Sequence, residues 1–170
     1  MKIHAAPGSA DALTVISDSP QETMQIGEGL GQLLLPGDVV CLEGDLGAGK
    51  TYLTKGIGRG LGVRQPITSP TFVLINEYVV APPIHKLYHI DLYRVNSVAE
   101  SCSLGLEDYL YRDGICVIEW AERAREILPE ERLWIVARYL DENRRELALE
   151  SNGAHYQRLV QRLRQALSQH

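Results

Sequence analysis

Gly44-Asp45-Leu46-Gly47-Ala48-Gly49-Lys50-Thr51 satisfies G-x-x-x-x-G-K-[ST] at each fixed position, and those residue types suit one task, the binding of phosphate groups. Glycines let the backbone curl so that successive amide N–H groups meet negative charge, and a helix starting there adds its own N-terminal N–H groups. A lysine at the end of such a loop reaches terminal phosphates, and the hydroxyl after it suits Mg²⁺. The pattern predicts a nucleotide site built on Gly47, Ala48, Gly49, Lys50 and Thr51. It leaves open whether a phosphate goes to a substrate, to water or nowhere.

Such a loop needs a carboxylate on a neighbouring strand to organise the cation. Two acids end strand-like runs: Asp91 closes Leu87-Tyr88-His89-Ile90-Asp91, and Glu119 closes Ile115-Cys116-Val117-Ile118-Glu119. The second run is almost uniformly apolar before its acid, as in a parallel strand covered on both faces. Glu119 is therefore the first choice for the metal side, and Asp91 is left to orient water or a metal-bound water. Stripped of chemistry, each is an exposed acid at a strand end. Thr68-Ser69-Pro70-Thr71-Phe72 stands where a segment sensing the terminal phosphate would lie, and its proline and hydroxyls suit an ordinary loop start equally well. His85 and His89 lack metal-ligand spacing and read as structural histidines. Trp120 reads first as cover for the sheet and second as a ring stacked near the nucleotide. No Asn-Lys-x-Asp segment follows the strands, which favours adenine over guanine.

The elements that must position these groups follow from pattern. Ser19-Pro20-Gln21-Glu22 is a capping box with proline at the first helical position, and Ile26, Leu30, Leu33 and Leu34 share a face, predicting a helix over 20–35. Pro36-Gly37-Asp38 then turns the chain into a strand, Val39 to Glu43. After the loop, Leu53, Ile57 and Leu61 mark a helix whose Gly56, Gly58 and Gly60 permit close packing. Thr71 to Val79 and Lys86 to Tyr93 read as an antiparallel pair interrupted at Pro82-Pro83. Ser97-Val98-Ala99-Glu100 is a second capping box, opening a short helical region. A helix is expected over 121–127, a hairpin from Leu133 to Leu140 and Arg145 to Glu150, and an amphipathic helix over 154–168. Alternating strand and helix predicts an α/β fold of the P-loop NTPase kind, one domain over 1–170, with a mixed, mostly parallel central sheet flanked by helices. Residues 1–18 are read as a loosely ordered N-terminal extension.

Composition narrows the class. With 170 residues, 45% hydrophobic and 23% charged, the chain fits one folded domain and neither disorder nor a fibrous repeat. No apolar run approaches the roughly 18 residues needed to span a bilayer, and the N-terminus has no apolar signal region. Three cysteines without metal spacing read as buried or idle thiols, in keeping with a cytoplasmic address. A net charge of −5 argues against a dominant electrostatic grip on nucleic acid.

Four blocks in order, Gly44 to Thr51, Ser69-Pro70-Thr71-Phe72, His89-Ile90-Asp91-Leu92-Tyr93-Arg94 and Ile118-Glu119-Trp120-Ala121-Glu122, resemble the TsaE (YjeE) family, bacterial ATPases of tRNA threonylcarbamoyladenosine biosynthesis. Glu22-Thr23 in the preceding helix also fits the family's start, so the resemblance covers most of the chain. It implies a small Mg²⁺-dependent ATPase, weak alone, cycling ATP and ADP alongside two partner subunits, TsaB and TsaD. TsaD transfers the threonylcarbamoyl group to adenosine 37 of tRNAs that read codons beginning with A. In that scheme tRNA is engaged only through the complex. Carried over residue by residue, Gly47 to Thr51 and Tyr52 hold the phosphates, Thr51 and Glu119 hold Mg²⁺, and Asp91 serves hydrolysis. Pro20 lies near the base, and Arg144 lies near the nucleotide, with Arg145 the alternative because the hairpin register is ambiguous. Two other readings compete: a small-molecule kinase, with Arg123, Arg125 and Arg132 closing over the phosphates, and a nucleotide switch without productive hydrolysis.

Overall fold

The computed structural model describes residues 1–5, 12–70 and 74–169. One eight-stranded sheet, in the order β1-β2-β8-β7-β3-β6-β5-β4, organises them. Its strands are β1 (Lys2–Ala5), β2 (Ala12–Ser17), β3 (Val39–Glu43), β4 (Ile75–Val79), β5 (Lys86–Asp91), β6 (Ile115–Glu119), β7 (Arg132–Tyr139) and β8 (Arg145–Asn152). The helices are α1 (Pro20–Gly31), α2 (Lys50–Gly60), α3 (Val98–Ser103), α4 (Glu107–Leu110) and α5 (Ala154–Leu167). The α/β class and the mixed sheet are as the sequence predicts. Parallel pairing is confined to the four central strands, β7-β3-β6-β5, and both flanks are antiparallel.

Alternation along the central strands sends side chains to two apolar layers. One layer packs Leu87, Val117, Val40 and Leu42 against Ile26, Leu30, Leu53, Ile57 and Leu163 of α1, α2 and α5. The other packs Cys41, Ile90 and Ile118 against Leu106, Ala121 and Ala124. Burial pushes the Cys41 and Cys116 thiols up to about 12, while Cys102 is exposed. The glycines of α2 do permit close packing: a Cβ on Gly56 would stand 2.1 Å from the Met24 carbonyl oxygen of α1, so the two helices touch backbone to backbone. That contact fixes α2, and with it the end of the phosphate loop.

Both capping boxes form. Ser19 Oγ accepts from the Glu22 N–H and Ser97 Oγ from that of Glu100, while each glutamate accepts from the N–H of the residue before its serine. Several boundaries differ from expectation. Helix α1 stops at Gly31 rather than Leu35, because the Asp38 carboxylate takes the Leu35 N–H at 2.8 Å and draws the chain into its turn. Residues 2–5 and 12–17, expected to be a loose extension, are paired strands: Leu13 and Val15 are wholly buried against β8. Strand β4 starts at Ile75, and the predicted extended residues 71–73 lie outside the described residues. The segment Ala121–Ile127 is a 3₁₀ helix kinked at Ala124.

Candidate functional site

The C-terminal ends of β3, β5 and β6 open into a cleft of about 350 Å³. Its lining includes Gly47, Ala48, Gly49, Lys50, Thr51, Tyr52, Ser69, Asp91, Glu119 and Trp120. Strand β3 delivers the loop, α2 begins at Lys50, and the register Asp91↔Glu119 sets the two acids side by side on adjacent parallel strands. Gly47 and Gly49 take φ of +79° and +97°, in the left-handed region that glycine alone enters without strain. At Gly47 the space that a Cβ would fill is open. The backbone is thus shaped to bring amide groups to a ligand.

Lys50 is 5% exposed, and its Nζ donates to the carbonyl oxygens of Gly44 and Asp45, the second at 2.9 Å. It also lies 4.2 Å from the centre of the Trp120 ring, a cation–π contact. Burial pushes its ammonium below the usual lysine range, against the pull of Glu119, Glu122, Asp91 and Asp45. Asp91 and Glu122 are both held above the usual carboxylate range, chiefly by burial. Arg94 also lines the cleft, and Arg123 lies over the Trp120 ring, so both signs of charge meet there.

Glu119, 3% exposed, is the most constrained of these acids. Its Oε1 lies 2.8 Å from His89 Nε2 and 3.3 Å from Thr54 Oγ1, and its Oε2 lies 3.4 Å from Thr51 Oγ1. Thr51 Oγ1 is in turn 3.0 Å from Ser69 Oγ. The Asp91 carboxylate accepts from the Tyr93 N–H at 2.9 Å and is half-buried at the cleft wall.

The donor set suits a hard cation that arrives with phosphate. Thr51 and Glu119 offer a hydroxyl and a carboxylate within reach of one another, the oxygen chemistry of Mg²⁺. Among the described residues no group of three or more His, Cys, Asp or Glu side chains could hold a metal by itself. Phosphate oxygens and water would complete such a shell.

The structure brings together Gly47 to Tyr52, Asp91 and Glu119, and separates the other candidates. Pro20 opens α1 outside the cleft lining; Thr23, in the first turn of that helix, instead packs its methyl toward Gly49. Arg144 turns to Asp141, Nε to Oδ2 at 2.6 Å, and does not line the cleft. Arg145 is the residue that reaches the loop: its Nε donates to the Gly47 carbonyl oxygen at 3.0 Å while its guanidinium lies over Tyr139. The hairpin turn ends at Arg144, so the first residue of β8 faces the loop. Trp120, first read as cover, lines the cleft with φ of +58° beside Tyr93. Arg125 and Arg132 are occupied elsewhere, on Glu43 and on the Leu128 and Pro129 carbonyls, whereas Arg123, held by the Tyr93 and Val95 carbonyls, lies over the cleft-lining rings of Tyr93 and Trp120. Thr54 and the His89–Glu119 contact were missed. For Thr54 the available signal was its position one helical turn after Lys50.

The chain is similar to known proteins over most of its length. The family model described as "Threonylcarbamoyl adenosine biosynthesis protein TsaE" matches residues 17–147. The chain is 43% identical over 145 residues to "tRNA threonylcarbamoyladenosine biosynthesis protein TsaE" of Bacillus subtilis (strain 168), covering 85% of this chain and 89% of that protein. It is 42% identical over 137 residues to the protein of the same name from Treponema pallidum (strain Nichols), covering 79% and 97%. The crystal structure of Bacillus subtilis YdiB superposes with a TM-score of 0.75 at 38% identity, covering 91% of this chain and 95% of that one.

Proposed function

The chain belongs to the TsaE family, and on that premise we propose that it is a Mg²⁺-dependent ATPase subunit supporting threonylcarbamoyladenosine formation at position 37 of tRNAs that read codons beginning with A. It works with TsaB and TsaD in the cytoplasm and engages tRNA only through that complex. The observation that carries the reading is the convergence of Lys50, Thr51, Asp91 and Glu119 on one phosphate loop. Among the described residues no helix is long and apolar enough to cross a membrane.

ATP phosphates enter over Gly47 and Gly49 and draw Lys50 from the Gly44 and Asp45 carbonyl oxygens. Thr51 Oγ1 and Glu119 Oε2 would hold Mg²⁺, and the ion would supply positive charge against the phosphate oxygens. Asp91 orients the attacking water; burial raises the basicity of its carboxylate above that of an exposed acid, as suits a group that accepts a proton. Arg145 shapes the loop through Gly47 and keeps a cation at its rim. The kinase reading is the less favoured, since Arg125 is paired with Glu43 and Arg132 with the Leu128 and Pro129 carbonyl oxygens.

The test is reconstitution with TsaB, TsaD, threonylcarbamoyl-adenylate and tRNA. Adding this chain with ATP is expected to convert a limited burst of modified tRNA into repeated turnover. Turnover unchanged by its addition would contradict the proposal, as would tight tRNA binding by the chain alone in moderate salt.

A further inference from the structure

His89 is wholly buried beneath the site and takes no part in the chemistry proposed above. It sits two residues before Asp91 on β5, so both project from the same face of the strand. That face carries Leu87 into the layer of Leu53 and Ile57. An imidazole among such neighbours is costly unless its polar atoms are used. One is: Nε2 lies 2.8 Å from Glu119 Oε1. Nδ1 has no hydrogen-bond partner among the described residues, so the ring's polar contact is directed to Glu119 alone.

We propose that His89 is the positioning residue for Glu119: by donating from Nε2 to Oε1 it pins one carboxylate oxygen in the core and leaves Oε2 to meet the divalent cation beside Thr51. The alternative clamp is weaker. Thr54 has one hydroxyl proton, which has the Lys50 carbonyl oxygen at 2.9 Å and Glu119 Oε1 only at 3.3 Å. Glu119 has three side-chain torsions, and without the imidazole only the two longer hydroxyl contacts, from Thr54 and Thr51, hold its oxygens. A hydrogen bond to the non-coordinating oxygen of a metal-binding carboxylate fixes its orientation, and losing such a partner typically weakens metal binding about 10- to 100-fold. This inference rests on the metal reading of Thr51 and Glu119.

The experiment compares the wild-type chain with His89→Leu, His89→Gln and His89→Asn. Affinity for a fluorescent ADP analogue is measured in EDTA and in Mn²⁺, with bound Mn²⁺ counted by electron paramagnetic resonance. Gln can place an amide N–H where Nε2 stands, whereas Asn is too short. In EDTA all four are expected to bind the analogue alike. In Mn²⁺, His89→Leu and His89→Asn are expected to lose about tenfold or more of the metal-dependent gain, and His89→Gln to recover most of it. A full gain in His89→Leu and His89→Asn overturns the assignment. Equal weakening with and without metal also overturns it, since it indicates disturbed packing; if His89→Leu does not fold, the Gln and Asn pair decides by the same criteria. A wild-type chain with no metal-dependent gain removes the metal reading itself, which is a separate and recognisable failure.

Discussion

The two ends of the five-residue strand β3 are built to opposite rules. At its start each polar group has a settled partner. The Val39 N–H donates to Tyr156 Oη at 2.9 Å, Asp38 Oδ1 lies 2.8 Å from His155 Nε2, and Asp38 Oδ2 takes the Leu35 N–H. This joint ties the first turn of α5 to the root of the central strand. At its far end the strand runs into Gly44, with φ of +151°, and into a loop whose lysine rests on backbone carbonyls beneath an aromatic ring. Burial there holds the Asp91 and Glu122 carboxyls above their ordinary range and the Lys50 ammonium below its own. The root spends its polar groups on the fold, and the tip holds charges in a state that a ligand improves.

That contrast can be broken at either end. The largest effect is expected at the tip: Lys50→Ala should weaken nucleotide binding about ten- to a hundredfold, the loss of charge-assisted hydrogen bonds to phosphate. Its melting temperature should not fall, because the ammonium is held in a desolvated position. Calorimetric titration together with a thermal melt checks both halves. At the root the order reverses. Tyr156→Phe leaves the buried Val39 N–H without its acceptor and should cost about 1–2 kcal/mol of stability, read by urea unfolding, with nucleotide affinity unchanged.

A smaller effect separates neighbouring arginines. Arg145→Ala should weaken nucleotide binding about fivefold, roughly one hydrogen bond's worth of loop order, whereas Arg144→Ala should change it less than about twofold. Equal effects would dissolve the distinction that the hairpin register makes. The smallest expected effect is a gain. Because burial holds the Asp91 carboxyl above its ordinary range, the folded chain binds more protons there than the unfolded chain does. Stability from this group therefore falls as pH rises from the ordinary carboxylate value through the raised one, and the penalty is complete above the raised one. Asp91→Asn should melt slightly higher than wild type at pH 7, and the difference should shrink in acid.

The tip was legible in the sequence because its chemistry is local. Gly44 to Thr51 is contiguous, and Asp91 and Glu119 announce themselves as acids ending apolar runs. What was not legible depends on pairing across the chain. Strand β2 alternates Leu13, Val15 and Ser17 inward, but its partner β8 lies more than a hundred residues on, so the segment reads as a loose extension. His89 looks like an ordinary structural histidine until the β5–β6 register sets it under Glu119. Arg144 and Arg145 are adjacent and chemically equal, and only the end of the turn decides which one faces the loop. Trp120 seemed suited to a core, yet its left-handed backbone turns it into the cleft. The root was foreseen as a turn and a strand, not as a joint, since Tyr156 meets Val39 across 117 residues.

On the proposed reading the tip binds ATP and hydrolyses it with Asp91. The direct measurement is ATP binding and phosphate release by wild-type and Asp91→Asn chains, each assayed with Mg²⁺ alone and with TsaB and TsaD present. The variant is expected to bind ATP within about threefold of wild type and to release phosphate at least about a hundredfold more slowly. Phosphate release at the wild-type rate by Asp91→Asn would contradict it.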